Sequence, residues 1–221
     1  MRQFLKSIPA GGELAIVIGL AFGFLIYISL LAALRHATPI LTITVFCEAA
    51  ALLVLVPFLA VRGWTPKKLG LSPRWSDVPM GIALFLVSFL VWWAVWALTV
   101  KLTPAIAQSS SVSAAVKPGL PLLTAIGLSL VNAVYEEVFV CGYIITALKR
   151  DRNDYVLAVN VSVAIRLLYH LYRGSLGVFG IIPLGLIFAY WFARTGRLWP
   201  VLVAHAALDT VGFLVYAYVT W

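Results

Sequence analysis

Charged residues are scarce in this chain of 221 residues. Asp, Glu, Lys and Arg together make up 11% of it, whereas 63% is hydrophobic. A soluble globular domain carries about 25% charged residues. The mean hydropathy of +1.03 agrees with this deficit. The composition therefore excludes an ordinary soluble domain and predicts an integral membrane protein whose first partner is the lipid bilayer.

Cysteine and acidic residues are also few. The two cysteines, Cys47 and Cys141, lie in apolar segments, which excludes a disulfide framework. The net charge is +8, but the basic residues stand mostly at the ends of apolar runs, where they set membrane topology. We therefore predict no nucleic-acid partner. No strand-type alternation of apolar and polar residues competes with helices.

Long apolar runs account for most of the chain, and a spanning helix needs about 20 such residues. Seven candidates lie at residues 14–34, 40–61, 78–100, 120–148, 155–171, 176–193 and 198–219. They predict an all-α fold, a polytopic transmembrane helical bundle of about seven spans. A Ser/Ala-rich loop near residue 110 divides it into an N-terminal three-helix membrane region, residues 1–118, and a C-terminal core, residues 119–221.

Basic residues predict the orientation. Arg166 falls within a predicted span. If the N-terminus is cytoplasmic, four of the remaining basic residues lie outside, and all the rest lie inside. The four are Arg35, Lys101, Lys117 and Arg173. This excess on the inner side favours N-in and C-out. The short chain and compact loops favour a bacterial inner (plasma) membrane.

Ionisable residues inside predicted spans are the main functional signal, because each costs about 2.5–3.5 kcal/mol to insert. They are Glu48, Glu136, Glu137, Arg166, His170, His205 and Asp209. All except Glu48 lie between residues 136 and 209, which predicts one shared site. Glu48, alone on the second segment, is predicted to be interfacial or to form a structural salt bridge.

Spacing places these residues in pairs on helix faces. Asn132 stands four residues before Glu136, and the pairs Arg166–His170 and His205–Asp209 have the same spacing. A carboxylate beside an imidazole takes a proton from water and returns it to a leaving amine. A second histidine stabilises an oxyanion.

A metal alternative uses the same residues. Glu136, His170 and His205 together have the chemistry of a zinc site with an open position. No His-Glu-x-x-His helix is present, so we favour a site that requires no cofactor and leave zinc as the alternative.

Three motifs resemble those of the CAAX-protease and bacteriocin-processing (CPBP, or Abi) intramembrane proteases, the type II CAAX prenyl endopeptidase group. That family has Glu-Glu-x-x-x-Arg, then Phe-x-x-x-His, then His-x-x-x-Asn/Asp. The corresponding positions here are Glu136, Glu137 and Cys141, then Arg166 and His170, then His205 and Asp209. The resemblance covers roughly residues 120–215.

The resemblance implies peptide hydrolysis at the membrane, on a membrane-associated or lipidated protein or peptide. It implies that Glu136 is the general base assisted by His170, and that Glu137 supports the site. It further implies that His205, with Asp209, stabilises the oxyanion.

Two positions depart from the pattern, since Cys141 stands for the motif's Arg and Arg166 for its Phe. Our hypothesis is that Arg166 supplies the missing positive charge from the next helix. A role for Cys141 as a nucleophile is less favoured, because it needs a lowered thiol pKa and the sequence assures no cation beside it. The alternatives are a weakened or inactive family member acting as a membrane scaffold or immunity factor, and a proton-coupled transporter.

Overall fold

The computed structural model describes residues 2–35, 41–103, 121–149 and 155–218, which contain helices and no strand. The helices of this described part are α1 Arg2–Ser7, α2 Ala10–Leu34, α3 Leu41–Val61, α4 Asp77–Leu102, α5 Leu122–Leu148, α6 Val156–Leu168, α7 Gly174–Thr195 and α8 Trp199–Tyr218. The predicted all-α fold is confirmed.

Each of the predicted apolar segments coincides with one helix. Helices α2, α3, α4, α5 and α7 are long and apolar enough to cross a membrane, whereas α6 and α8 are shorter apolar helices. A helical membrane bundle is therefore confirmed. The fifth predicted segment extends too far, because α6 ends at Leu168 and α7 begins only at Gly174, which has a φ of +67°. His170 consequently lies in the connection between α6 and α7.

Helix α5 is the centre of the bundle. In its apolar window 67% of the residues are buried, against 17% in that of α4. Tyr135, Phe139 and Tyr143 of α5 are among the largest fully buried side chains. The surrounding helices expose apolar side chains such as Leu53 of α3 and Trp93 of α4 to the exterior, as expected where lipid is the solvent.

Small residues allow the helices to approach closely. Helix α8 packs against α4 and α5, and α7 packs against α4 and α6. A Cβ on Gly81 of α4 would lie 2.5 Å from Cβ of Val203 in α8, and one on Gly142 would lie 3.0 Å from the carbonyl oxygen of Leu69. Close backbone contact through small residues is the usual way in which membrane helices pack.

The two predicted acids of α5 end its first α-helical part. This part runs from Leu122 to Glu137, and one π-helical turn, Val138–Tyr143, follows it. Phe22, in a π-helical turn of α2, packs edge-on against Tyr135 and Phe139. Single π turns inside α-helices frequently mark functional sites, and this one directly follows the two acids.

The predicted division of the chain between residues 118 and 119 lies outside the described residues, as does the Ser/Ala-rich loop around residue 110. The two-part organisation therefore stays a prediction.

Candidate active site

Glu136 and Glu137 are both buried in the middle of the bundle. Neighbouring helical residues point about 100° apart, so the two carboxylates face different partners, as their spacing predicts. Glu136 lies on the wall of a cavity, whereas Glu137 is fully buried and points into protein.

Arg166 of α6 binds both acids. Its Nη2 atom lies 2.7 Å from each carboxylate oxygen of Glu137, and its Nη1 atom lies 3.4 Å from Oε2 of Glu136. Gly185 of α7 leaves room for this side chain, because a Cβ there would lie 3.2 Å from Cδ of Arg166. A paired, hydrogen-bonded arrangement is what a buried charge requires. Arg166 thus stands where the hypothesis about the missing motif arginine needs a cation.

Tyr169 holds the same oxygen of Glu136. Its hydroxyl donates to Oε2 at 2.6 Å, and its ring stacks on Phe22 at 5.2 Å between centroids. Among the described residues no hydrogen bond reaches Oε1 of Glu136. This oxygen is therefore the one that remains available to a substrate or a water molecule.

His170 is oriented by the backbone of the helix before it. Its Nδ1 atom lies 2.9 Å from the carbonyl oxygen of Arg166. A carbonyl oxygen only accepts hydrogen bonds, so Nδ1 carries the hydrogen, and the lone pair of a neutral imidazole then lies on Nε2. His170 lines the same cavity as Glu136.

His205 and Asp209 form a second connected group. Nδ1 of His205 donates to Oε1 of Glu137 at 2.6 Å, and its Nε2 atom lies 3.4 Å from Oδ2 of Asp209. Asn132 donates to the same oxygen of Asp209 at 2.8 Å. The i, i+4 spacing of His205 and Asp209 therefore joins α8 to α5 at both Glu137 and Asn132.

The cavity has a volume of about 140 Å³. Its polar and ionisable lining includes Glu48, Asn132, Glu136, His170, Arg173 and Asp209. Apolar residues such as Leu25, Val45 and Phe213 complete its wall. The cavity thus combines a few convergent polar groups with apolar surface, as ligand sites usually do.

The predicted site residues fall into two layers. Asn132, Glu136, His170 and Asp209 line the cavity, and Arg166, Glu137 and His205 form the buried network behind them. Cys141 has no exposed surface and is absent from the cavity wall. The structure therefore gives no support to a cysteine nucleophile.

The candidate metal ligands differ from the predicted set. In the described part of the chain, the side chains that bring three possible ligand atoms within 4.8 Å of one another are Glu136, Glu137 and His205. His170 is not in this group. Both oxygens of Glu137 already accept from Arg166, and a guanidinium beside a ligand repels a dication. These residues do not fit a zinc site.

Three residues that line this cavity were not predicted to belong to the site, namely Glu48, Tyr169 and Arg173. The predicted salt bridge of Glu48 is not found within the described parts of the chain; the residue is 4% exposed and lines the cavity. Its position in an apolar segment was the available signal. Tyr169 and Arg173 flank His170 without a motif that assigns them a role.

Comparison with known proteins agrees with the motifs. Residues 118–211 match a family model described as type II CAAX prenyl endopeptidase Rce1-like. The resemblance predicted from the motifs is confirmed over this part of the chain, which contains every predicted site residue. Glu48 lies outside it. No curated protein and no solved structure matches the chain.

Proposed function

We propose that this protein is an intramembrane endopeptidase in which Glu136 and His170 activate water to hydrolyse a membrane-associated or lipidated protein or peptide. The observation that carries the proposal is the pair of available atoms at one cavity. Oε1 of Glu136 and Nε2 of His170 belong to side chains that line the same wall. The match of residues 118–211 to an endopeptidase family supports this chemistry.

The reaction follows from these atoms. Water donates one hydrogen bond to Oε1 of Glu136 and another to Nε2 of His170, and its oxygen attacks the carbonyl carbon while Glu136 takes the proton. When the tetrahedral intermediate collapses, the C–N bond breaks and the same proton passes to the leaving amine. Tyr169 and Arg166 hold Oε2 of Glu136, so the carboxylate keeps Oε1 towards the cavity.

The oxyanion role needs donors that face the cavity. Both ring nitrogens of His205 face acids, Glu137 and Asp209, and His205 is absent from the wall. Asn132 and Arg173 are donors that line it. We therefore assign oxyanion stabilisation to Asn132 and Arg173, with His205 holding Asp209, which in turn orients the Asn132 amide.

The residues favour hydrolysis without a metal, because Arg166 occupies the position beside Glu137 that a dication would need. Purified protein is expected to hold less than one zinc per chain, and a chelator is expected to leave cleavage unchanged. Stoichiometric zinc whose removal abolishes cleavage would contradict this part of the proposal.

The transporter alternative predicts polar lining that continues across the bilayer. Along α5, beyond the acids, the fully buried side chains include those of Phe139, Val140, Tyr143 and Ile144. They form part of an apolar core with Phe22 and other residues. In the described structure the cavity lining therefore does not continue along α5 past Glu136, which supports a closed reaction site over a transport path.

The cavity lies towards one side of the membrane. Its lining comes from the second halves of α2 and α8, the first halves of α3 and α5, and the connection after α6. The basic loop residues Arg62, Lys67, Lys68 and Arg74 lie at the opposite ends of these helices. With the N-terminus cytoplasmic, as the basic residues favour, the cavity opens in the outer half of the bilayer.

Cleavage of internally quenched peptides by the purified full-length protein in micelles tests the function. A set of membrane-segment and lipidated peptides is used, and products are identified by mass spectrometry. Glu136→Gln and His170→Ala are each expected to lower the rate by about 10²–10⁴-fold. Arg35→Gln, at the exposed end of α2, is the control and should cleave normally.

Two results would overturn the proposal. One is full activity in both cavity variants. The other is a folded unaltered protein that cleaves none of the peptides, which would favour an inactive scaffold or immunity factor.

A further inference from the structure

Glu48 is a buried acid whose position the hydrolytic mechanism does not explain. It comes from α3, outside the part of the chain that matches the peptidase family, and its carboxyl group faces the cavity that holds Glu136. The residue is 4% exposed. An acid in such a setting is costly to bury and is expected to have a partner.

The other acids around the cavity have partners. Glu136 accepts from Tyr169 and lies beside Arg166. Asp209 accepts from Asn132 and lies beside His205. For Glu48, no hydrogen bond or ion pair to another side chain is found within the described residues.

Apolar side chains line the cavity wall together with Glu48. Val45 lies one turn before it on α3, and Leu25 and Ile28 of α2 line the same cavity. The wall thus offers a carboxylate at the end of an apolar surface, which suits an ammonium or guanidinium group carried on an alkyl stem.

We propose that Glu48 is a specificity subsite that binds a cationic group of the substrate, a Lys or Arg side chain or a free amino terminus, next to the scissile bond. Both Glu48 and Glu136 line one cavity of about 140 Å³, so the cation belongs to a residue close to the bond that Glu136 attacks. Each residue of an extended chain spans about 3.3–3.6 Å. This inference rests on the proposed peptidase function for its biological meaning.

Binding of a small amphiphilic cation tests the subsite without using activity. The probes are n-hexylamine, protonated at neutral pH, and n-hexanol as its uncharged counterpart. The thermal unfolding temperature of the purified full-length protein in micelles is measured with each probe, for the unaltered protein, Glu48→Gln and Glu136→Gln. The two variants are matched, because each neutralises one acid of the same cavity.

Hexylamine is expected to stabilise the unaltered protein and Glu136→Gln more than hexanol does, and to lose this advantage in Glu48→Gln. If Glu48→Gln unfolds in hexanol at the same temperature as the unaltered protein, the variant is folded. Equal hexylamine stabilisation in Glu48→Gln, or its loss in Glu136→Gln instead, would overturn the proposal.

Cleavage gives the second readout. A peptide that the protein cleaves is made with Lys or norleucine at each position flanking the cut, and kcat/KM is compared. At one position we expect the unaltered protein to favour Lys over norleucine by about tenfold or more, and Glu48→Gln to remove this preference.

The two failures are distinguishable. Cleavage of both peptides at equal rates by the unaltered protein would refute the subsite while the peptidase stands. If the unaltered protein cleaves no peptide of the original set, the peptidase is refuted, and the hexylamine comparison still decides whether Glu48 binds a cation.

Discussion

At the residue scale, Arg166 is the cation that pairs with both buried acids of α5. Its guanidinium contacts both oxygens of Glu137 and one oxygen of Glu136, and all three residues are buried. Removal of one partner of a buried ion pair costs about 3–5 kcal/mol, because the other charge is left unpaired. Arg166 of α6 therefore supplies a cation to both acids of α5 from the neighbouring helix.

Substitutions at Arg166 and Cys141, the two positions that differ from the family motifs, test this interpretation. Arg166→Phe alone is expected to destabilise the protein by about 3–5 kcal/mol, since two buried acids lose their cation. Adding Cys141→Arg, which restores the family's order of residues, is expected to recover part of the loss. Unfolding in micelles should give a coupling free energy of about 1–3 kcal/mol between the two positions.

Arg35→Phe is the control for a change of an exposed arginine, and it should unfold like the unaltered protein. Additive effects of Arg166→Phe and Cys141→Arg would show that the two positions do not share one role.

The i, i+4 spacings predicted part of the site. Two of them placed His170 after Arg166 and Asp209 after His205, and the structure connects each pair. The place of Glu48 on the cavity wall could not be predicted from the sequence, because a single acid in a span has the same pattern whether it faces lipid headgroups, a cation or a cavity. The depth of a side chain depends on packing between helices distant in the chain.

At the scale of elements, a charged cluster fixes the N-terminal helices to the centre of the bundle. Arg62, at the end of α3, binds Glu13 of α2 and donates to the backbone oxygens of Leu5, Lys6 and Ile8. Trp64 and Tyr143 donate to Glu13 at 2.6 and 3.1 Å. Glu13 was not predicted as a buried group, because it stands at the edge of an apolar run where exposure is the usual outcome.

Gly70 joins the loop after α3 to the connection between α7 and α8. Its φ is +77°, a Cβ there would lie 2.7 Å from the carbonyl oxygen of Gly196, and its own carbonyl accepts from the Leu198 amide at 3.1 Å. Gly63 has a similar φ of +81° with open space around it. Substitution of Gly63 therefore measures backbone strain alone, whereas substitution of Gly70 measures backbone strain together with steric overlap.

Gly63→Ala is expected to cost about 1–2 kcal/mol, the strain of a left-handed backbone. Gly70→Ala is expected to cost about 1–3 kcal/mol more, because packed backbone atoms leave no room for the methyl group. Denaturation of both variants in the same detergent gives the difference. Equal losses would show that the loop is free to move away from the α7–α8 connection.

Apolar runs predicted the existence and order of the helices, but not where α6 ends. Hydropathy continues past Leu168 through Tyr169 and Leu171, whereas the backbone turns there and reaches Gly174 at positive φ. The turn depends on tertiary contacts such as the bond from the Tyr172 amide to Ser29 of α2 at 3.1 Å. This local feature places His170 beside the cavity.

At the scale of the whole molecule, the fold separates a basic side from a cavity side. The cavity-side ends of α2 and α4 carry few charges, and the loop after α3 is basic. Trp75 in that loop is fully exposed, as expected for an aromatic residue at a membrane interface. On the proposed orientation, with the N-terminus in the cytoplasm, substrates would reach Glu136 from the outer face.

Labelling of single cysteines with a membrane-impermeant maleimide measures this orientation in intact bacterial cells. Cys47→Ser removes the partly accessible native thiol, whereas Cys141 is buried. We expect Arg35→Cys, on the cavity side, to be labelled in intact cells, and Trp75→Cys only after lysis. The reverse pattern would place the cavity on the cytoplasmic side and overturn the assigned orientation.

The most direct test of the central claim compares Glu136 with its neighbour Glu137. In Glu136→Gln the amide oxygen still accepts from Tyr169, so we expect a normally folded protein whose cleavage rate falls by about 10²–10⁴-fold. Glu137→Gln weakens the contacts to Arg166 and His205 and is expected to lower the unfolding temperature as well. The decisive measurement is kcat per folded molecule for Glu136→Gln, and a value equal to that of the unaltered protein would contradict the account.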